Sequence, residues 1–104
     1  EQDTRLVCDY EKGNAGGVLY NVPLVINESQ KKLVWNGIDY TITSALKTMV
    51  KFQDNYIIYN EGGFGKSFQL DRVNLEFVTI DRMTEGYRMT EGRSIYQCRV
   101  VEGV

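Results

Sequence analysis

The chain has 104 residues, with 12 Lys or Arg against 14 Asp or Glu and no His, for a net charge of −2. That length holds one domain, residues 1–104, and is too short for two independent cores. A 42% hydrophobic and 25% charged composition places the chain among folded globular proteins, and the balanced charge lacks the basic stripe that nucleic-acid binding requires.

The predicted elements follow from apolar alternation between Gly, Asn and Asp punctuation. Arg5 to Tyr10 alternates, placing Leu6, Cys8 and Tyr10 on one face. Val18 to Ile26 reads as a longer strand that Pro23 confines to an edge or a bulge. Asn27 to Gln30 is a polar turn, and Lys32 to Trp35 resumes a strand. Asn36-Gly37 is the strongest hairpin signal, because both residue types tolerate the positive φ of a type I′ turn. Ile38, Tyr40 and Ile42 then alternate with Asp39, Thr41 and Thr43. Ser44 to Thr48 is ambiguous and admits one helical turn. Met49 to Gln53 and Tyr56 to Asn60 form a strand pair about Asp54-Asn55, followed by the glycine loop at 62–65. Ser67 to Leu70 and Leu75 to Asp81 form another pair, the polar segment Arg82 to Arg93 follows, and Ser94 to Val101 closes the chain. About nine short strands without an amphipathic helix predict an all-β fold, a small antiparallel barrel or alternatively a sandwich. The longest apolar runs are strand-sized, so no membrane-spanning helix is expected.

The two cysteines, Cys8 and Cys98, lie near opposite ends of the sequence. They lack the close spacing and neighbouring ligands of a metal site, and they do not form the C-x-x-C of a redox pair. A disulfide joining the first strand to the last is the economical reading, with two unpaired buried cysteines as its alternative. A barrel accommodates that bond, since closure makes its first and last strands neighbours. The polar Glu1 to Arg5 has no apolar core and reads like an exported product that has lost its signal, in a periplasmic or secreted setting. Neither cysteine is N-terminal, so no lipoprotein anchor is expected.

Catalysis finds few candidates. Without His the usual general base is missing, and no pair of carboxylates stands out by spacing. Lys66-Ser67 are adjacent on a strand and point to opposite faces. No catalytic residue, metal ligand or cofactor is therefore predicted. Gly62-Gly63-Phe64-Gly65-Lys66-Ser67 lacks both the spacing and the following helix of a phosphate loop. It reads either as a flexible hairpin tip or as a protruding loop that offers Phe64, Gly65, Lys66 and Ser67 to a partner. Arg82-Met83-Thr84-Glu85-Gly86 recurs as Arg88-Met89-Thr90-Glu91-Gly92, a repeat at a period of six. Either the duplication lengthened an exposed hairpin loop, or Met83, Tyr87, Arg88 and Met89 form an adaptable contact surface. Three Arg and two Glu give segment 82–93 a net charge of +1, no basis for a nucleic-acid patch. Seven Tyr and one Trp suit either ordinary strand positions or a ligand-lined barrel mouth. Asn27-Glu28-Ser29 matches a glycosylation sequon, relevant only in a eukaryotic secretory pathway.

Cys8, the run Pro23 to Asn27 leading to Leu33-Val34-Trp35, Phe68 to Arg72, and Tyr96-Gln97-Cys98 resemble small exported bacterial proteins, many of unknown function. More distantly, the layout is similar to the membrane-bound inhibitors of c-type lysozyme. That resemblance implies a small disulfide-linked β-barrel that blocks lysozyme by inserting a loop bearing Ser, Gly and a basic residue. The closest counterpart is Gly63-Phe64-Gly65-Lys66-Ser67, in which the residue order differs and Phe64 has no equivalent. The resulting expectation is an exported module that binds another protein, as an inhibitor of a hydrolase or a masker of a surface receptor. A carrier of a small apolar ligand and a structural domain of a secreted assembly are the alternatives, and the sequence leaves the oligomeric state open.

Overall fold

The structure, a computed structural model, describes residues 4–15, 17–27, 29–40, 47–52, 56–61 and 66–101, with backbone alone at 47–52, 56–61, 83–85 and 89. Nine strands follow in order: β1 (Thr4–Gly13), β2 (Val22–Asn27), β3 (Lys32–Trp35), β4 (Ile38–Asp39), β5 (Lys47–Phe52), β6 (Tyr56–Glu61), β7 (Lys66–Asp71), β8 (Glu76–Glu85) and β9 (Arg88–Val100). They form one sheet of order β4-β3-β2-β1-β9-β8-β7-β6-β5, antiparallel throughout. The predicted all-β antiparallel architecture is the one observed, curled into a half-barrel.

The strand order explains where the barrel stays open. Each strand pairs with its predecessor in the chain except β5, and β4 and β5 are the two edges. The first and last strands instead meet in the middle of the sheet. Following the antiparallel steps outward from β1 in both directions leaves β4 and β5 running the same way. Closure there would need a parallel pair, whose slanted bonds differ from those of both adjoining ladders.

Ring contacts show the curl. Trp35 of β3 lies 4.7 Å from Phe77 of β8 and 4.9 Å from Tyr96 of β9, although β2 and β1 intervene in the sheet. Tyr40, just past β4, meets Phe68 of β7 at 4.8 Å. Edge-to-face and offset arrangements of this kind suit the ring quadrupoles, so the aromatic cluster fixes the curl as well as filling it. Period-2 alternation sends Leu6 and Cys8, then Val22, Leu24 and Ile26, then Leu33 and Trp35 into the concave face. Burial of each such large side chain contributes about 1.5–3 kcal/mol.

Cys8 and Cys98 are directly opposite in the β1–β9 ladder and are disulfide-bonded, with Cα atoms 4.0 Å apart. The bond closes a loop of 90 residues. In the chain-entropy model such a closure is worth roughly 4–5 kcal/mol.

Asn36 and Gly37 both take positive φ, 51° and 82°, between the paired Trp35 and Ile38, as the hairpin signal predicts. The returning strand is only Ile38–Asp39, and Thr41, Ile42, Thr43 and the ambiguous 44–46 lie outside the described residues. Two predicted boundaries are corrected. β2 begins at Val22, so Val18, Leu19 and Tyr20 belong to a loop rather than a strand. The polar segment 82–93 is strand, forming the end of β8 and the start of β9.

Candidate functional site

Antiparallel alternation sorts the connections to two ends. The turns 28–31 and 72–75 lie at one, called here the turn end. The β1–β2 loop 14–21, the Asn36-Gly37 turn, the adjoining ends of β6 and β7, and the β8–β9 turn all lie at the other, the open end. Of the two segments singled out in the sequence, the described residues Lys66 and Ser67 of the first and 82–93 therefore converge on the same end.

The β1–β2 loop is held there by bonds remote in sequence. Ala15 N–H donates to Ser94 Oγ at 2.8 Å, and that buried hydroxyl donates back to Ala15 O at 2.9 Å. Arg93 N–H donates to Asn14 Oδ1 at 3.0 Å, while Asn14 N–H donates to Arg93 O at 2.6 Å. At the loop's far side Asn21, in left-handed conformation with φ 55°, donates its N–H to Asp9 Oδ1 at 2.7 Å. Arg99 donates to the other Asp9 oxygen at 2.9 Å. The Asn21 N–H, followed by the Arg99 guanidinium, holds the Asp9 carboxyl below its ordinary value. Fixed at both ends, the loop holds Val18 and Tyr20 largely exposed, with Leu19 more than a third exposed. Ile38, on the neighbouring hairpin, is 54% exposed.

Beside this loop the β8–β9 hairpin projects as a two-stranded ribbon. β7 leaves β8 at Asp81 and β1 leaves β9 at Ser94, and beyond them the ladder continues as Arg82↔Glu91, Met83↔Thr90, Thr84↔Met89 and Glu85↔Arg88. The repeat explains this register. Arg-Met-Thr-Glu folded antiparallel on a second Arg-Met-Thr-Glu sets Arg opposite Glu and Met opposite Thr. Opposite charges facing each other across strands are stabilising, and Arg82 Nε lies 3.6 Å from Glu91. Gly86 supplies the positive φ, 60°, at the first turn position, and fully exposed Tyr87 occupies the tip. Gly13 sits at the ribbon's base with φ 129°, where a Cβ would meet Arg93 O; no other residue fits that approach.

Between the loop, the Asn36-Gly37 hairpin and the facing ends of β7 and β8 lies a cavity of about 130 Å³. Its floor is the buried rings of Trp35, Tyr40, Phe68 and Tyr96, and Leu19 and Ile38 stand at its rim. Lys66 Nζ and Asp81 Oδ1, 3.6 Å apart, form a half-exposed ion pair on its wall. The Tyr96 hydroxyl donates to Gly17 O over a long 3.4 Å, and burial, then the Tyr10 and Asp81 charges, push its pKa above the ordinary tyrosine value.

The structure thus brings Lys66, Tyr87 and Arg88, together with the backbone of Met83 and Met89, to the open end. Phe64 and Gly65 lie outside the described residues. Ser67 is buried and accepts a 2.8 Å hydrogen bond from Arg82 Nη1, so its role is to brace the ribbon's first arginine. The exposed Val18, Leu19, Tyr20 and Ile38 are the addition that sequence reading missed, because an apolar run beside a strand reads as more strand. At the opposite end, the sequon residue Asn27 is buried and its Oδ1 accepts from Ser29 Oγ and Gln30 N–H at 2.8 and 3.0 Å. A second cavity there, about 180 Å³, is lined by Leu6, Leu70, Leu75 and Val100 with Thr4 and Arg72. Among the described residues no cluster of His, Cys, Asp or Glu is arranged to hold a metal ion, and no helix is long and apolar enough to cross a membrane. No protein-family profile matches the chain, and no curated protein or solved structure is significantly similar to it.

Proposed function

We propose that this chain is a binding module for another protein, and that it engages its partner through the open end of the half-barrel. One observation carries the reading: four exposed apolar side chains, Val18, Leu19, Tyr20 and Ile38, are gathered at the end from which the Tyr87-tipped ribbon projects. Grouped exposed apolar side chains rimmed by charge suit a protein contact, and a loop held by Ser94 and Asp9 loses little conformational freedom on binding. Tyr and Arg, the residue types at the ribbon tip, are those that anchor interfaces most often. The carrier alternative has less support, since five rings occupy the concave face and both cavities fall below the ~300 Å³ at which drug-sized ligand sites begin. The disulfide supports an oxidising, exported setting. The likeness to lysozyme inhibitors makes c-type lysozyme the first partner to assay.

A photo-crosslinking side chain introduced at Tyr20 and, separately, at Val73 on the turn end tests the proposal directly. A defined protein trapped from Tyr20 and not from Val73, and lost when Ile38→Asp is added, is the expected result. Equal trapping from both ends, or none from Tyr20, overturns it. Lysozyme activity measured with and without the oxidised chain decides that particular partner.

A further inference from the structure

We infer that the turn-end cavity is a binding site for a small monocarboxylate whose apolar body is the size of a benzene ring. Size sets the first limit. The cavity holds about 180 Å³, more than the roughly 150 Å³ void that takes up benzene and well short of a drug-sized pocket. An apolar body of about six carbons enters it and leaves its polar head at the mouth.

The lining sets the second limit. Leu6 and Leu70, both buried, come from β1 and β7, Leu75 ends the turn between β7 and β8, and Val100 closes β9. Four aliphatic side chains from separate parts of the sheet thus surround one space. Leu75 shows that this wall is built for its side chain. At φ 56° it holds a left-handed backbone that glycine or asparagine adopts at lower cost, and Cys98 N–H fixes it by donating to Leu75 O at 2.8 Å. Leucine in that conformation supplies what neither of those residues has, an aliphatic side chain against both the core and the cavity. A backbone held outside its preferred region beside an apolar cavity is the pattern of a ligand clamp.

Charge sets the third limit. Among the described residues, Arg72 is the one charged group in the lining, an exposed side chain of the same turn, and Thr4 adds a hydroxyl. The guanidinium presents its N–H donors in a fork that matches a carboxylate, so an anionic head at the mouth pairs with it and a cationic head is repelled. Asp71 precedes Arg72 and is paired with Glu76 across the turn, so two acidic residues flank the site. They disfavour a doubly charged phosphate more than a singly charged carboxylate. An uncharged hydrocarbon forgoes the charge-assisted bond altogether.

The site lies at the end opposite the proposed protein contact and shares no residue with it. The oxidised full chain is titrated at neutral pH by calorimetry with benzoate and hexanoate, the aromatic and aliphatic forms of the ligand. Four probes each change one feature: toluene lacks the charge, benzylamine reverses it, phenyl phosphate doubles it, and acetate lacks the apolar body. The expected result is saturable binding of benzoate, hexanoate or both, tighter than that of any probe. Affinity falls about tenfold in Arg72→Gln, the loss of one charge-assisted hydrogen bond, and likewise in Val100→Asp, which sets a carboxylate at the mouth. It is unchanged in Arg93→Gln at the open end. Arg72 and Val100 are both exposed, so neither substitution disturbs the core. No saturable binding of either acid, a probe that binds as tightly, unaltered affinity in Arg72→Gln or Val100→Asp, or an equal loss in Arg93→Gln overturns the inference. Far-ultraviolet circular dichroism of each variant separates a lost site from a lost fold.

Discussion

At the turn end, two connections of the same length are built alike. Asn27 and Lys32 pair across residues 28–31, and Asp71 and Glu76 pair across residues 72–75. In each, the first residue's side-chain oxygen accepts from the turn, Asn27 from Gln30 N–H and Asp71 from Val73 and Asn74 N–H, and the fourth turn residue is left-handed, Lys31 at φ 52° and Leu75 at φ 56°. Within each turn these bonds reach at most three residues, and β9 braces the second turn from outside, Gln97 Nε2 donating to Asn74 O at 2.9 Å and Cys98 N–H to Leu75 O at 2.8 Å. The open end is held the other way, by Ser94, Arg93 and Tyr96 reaching 79 residues back to Ala15, Asn14 and Gly17. Local bonds make compact turns, in which Val73 is the one large apolar side chain left exposed among the described residues. Long-range bonds free a loop from satisfying its own backbone, so the open end can display Val18 and Tyr20 in a fixed conformation.

Substitutions ranked by expected effect sharpen this contrast. Removing the disulfide with Cys8→Ser and Cys98→Ser acts on both ends through the central β1–β9 pair, and should lower the unfolding free energy by about 4 kcal/mol in urea titration. Hydrogen exchange that rises at one end only would show that the bond serves that end alone. Ser94→Ala leaves the buried Ala15 N–H and C=O without partners and should cost about 1–3 kcal/mol. The same variant should speed proteolysis within 14–21 while the turns at 28–31 and 72–75 resist as before.

Within the turn end, the twin turns should part company. Lys31 is exposed, so Lys31→Gly relieves a left-handed backbone at no packing cost and should change stability favourably by up to about 1 kcal/mol. Leu75 packs on the core cluster, so Leu75→Gly should instead be destabilising in the same thermal melts. The acid limb distinguishes charge from geometry. Backbone N–H groups of Asn74 and Val73 hold the Asp71 carboxyl below its ordinary 3.8, so its stabilisation is present above that value and lost as pH falls through the lowered folded value. Asp71→Asn keeps the turn acceptor and should flatten that limb. Tyr96 has the opposite sign, its contribution being present below pH 10.0 and lost as pH rises beyond it. The smallest effect belongs to Val18→Ser, which should leave stability within about 0.5 kcal/mol while weakening partner crosslinking from the probe at position 20.

Much of the scaffold was legible because it rests on short-range rules. The alternation of Leu6, Cys8 and Tyr10, the Asn36-Gly37 turn and the pairing of Cys8 with Cys98 each follow from residue type and spacing. The ribbon was not, although its signal was present. Arg-Met-Thr-Glu-Gly-Tyr-Arg-Met-Thr-Glu looks polar and loop-like until it is folded about Gly86-Tyr87, when each charge finds its opposite. The loop 14–21 carried no such signal, since it is held by bonds with Asp9, Tyr10, Ser94 and Tyr96 on the strands around it, Tyr10 N–H donating to Leu19 O at 2.9 Å.

The sequence by itself determined an all-β chain of about nine strands with its ends joined, because period-2 burial and turn chemistry act between neighbours. Only the tertiary structure decided that the sheet stays open between β4 and β5, since that follows from strand direction summed around the whole sheet. Only it gathered the loop, the ribbon and the aromatic cavity at one end, because which end a connection reaches depends on the pairing of every strand before it.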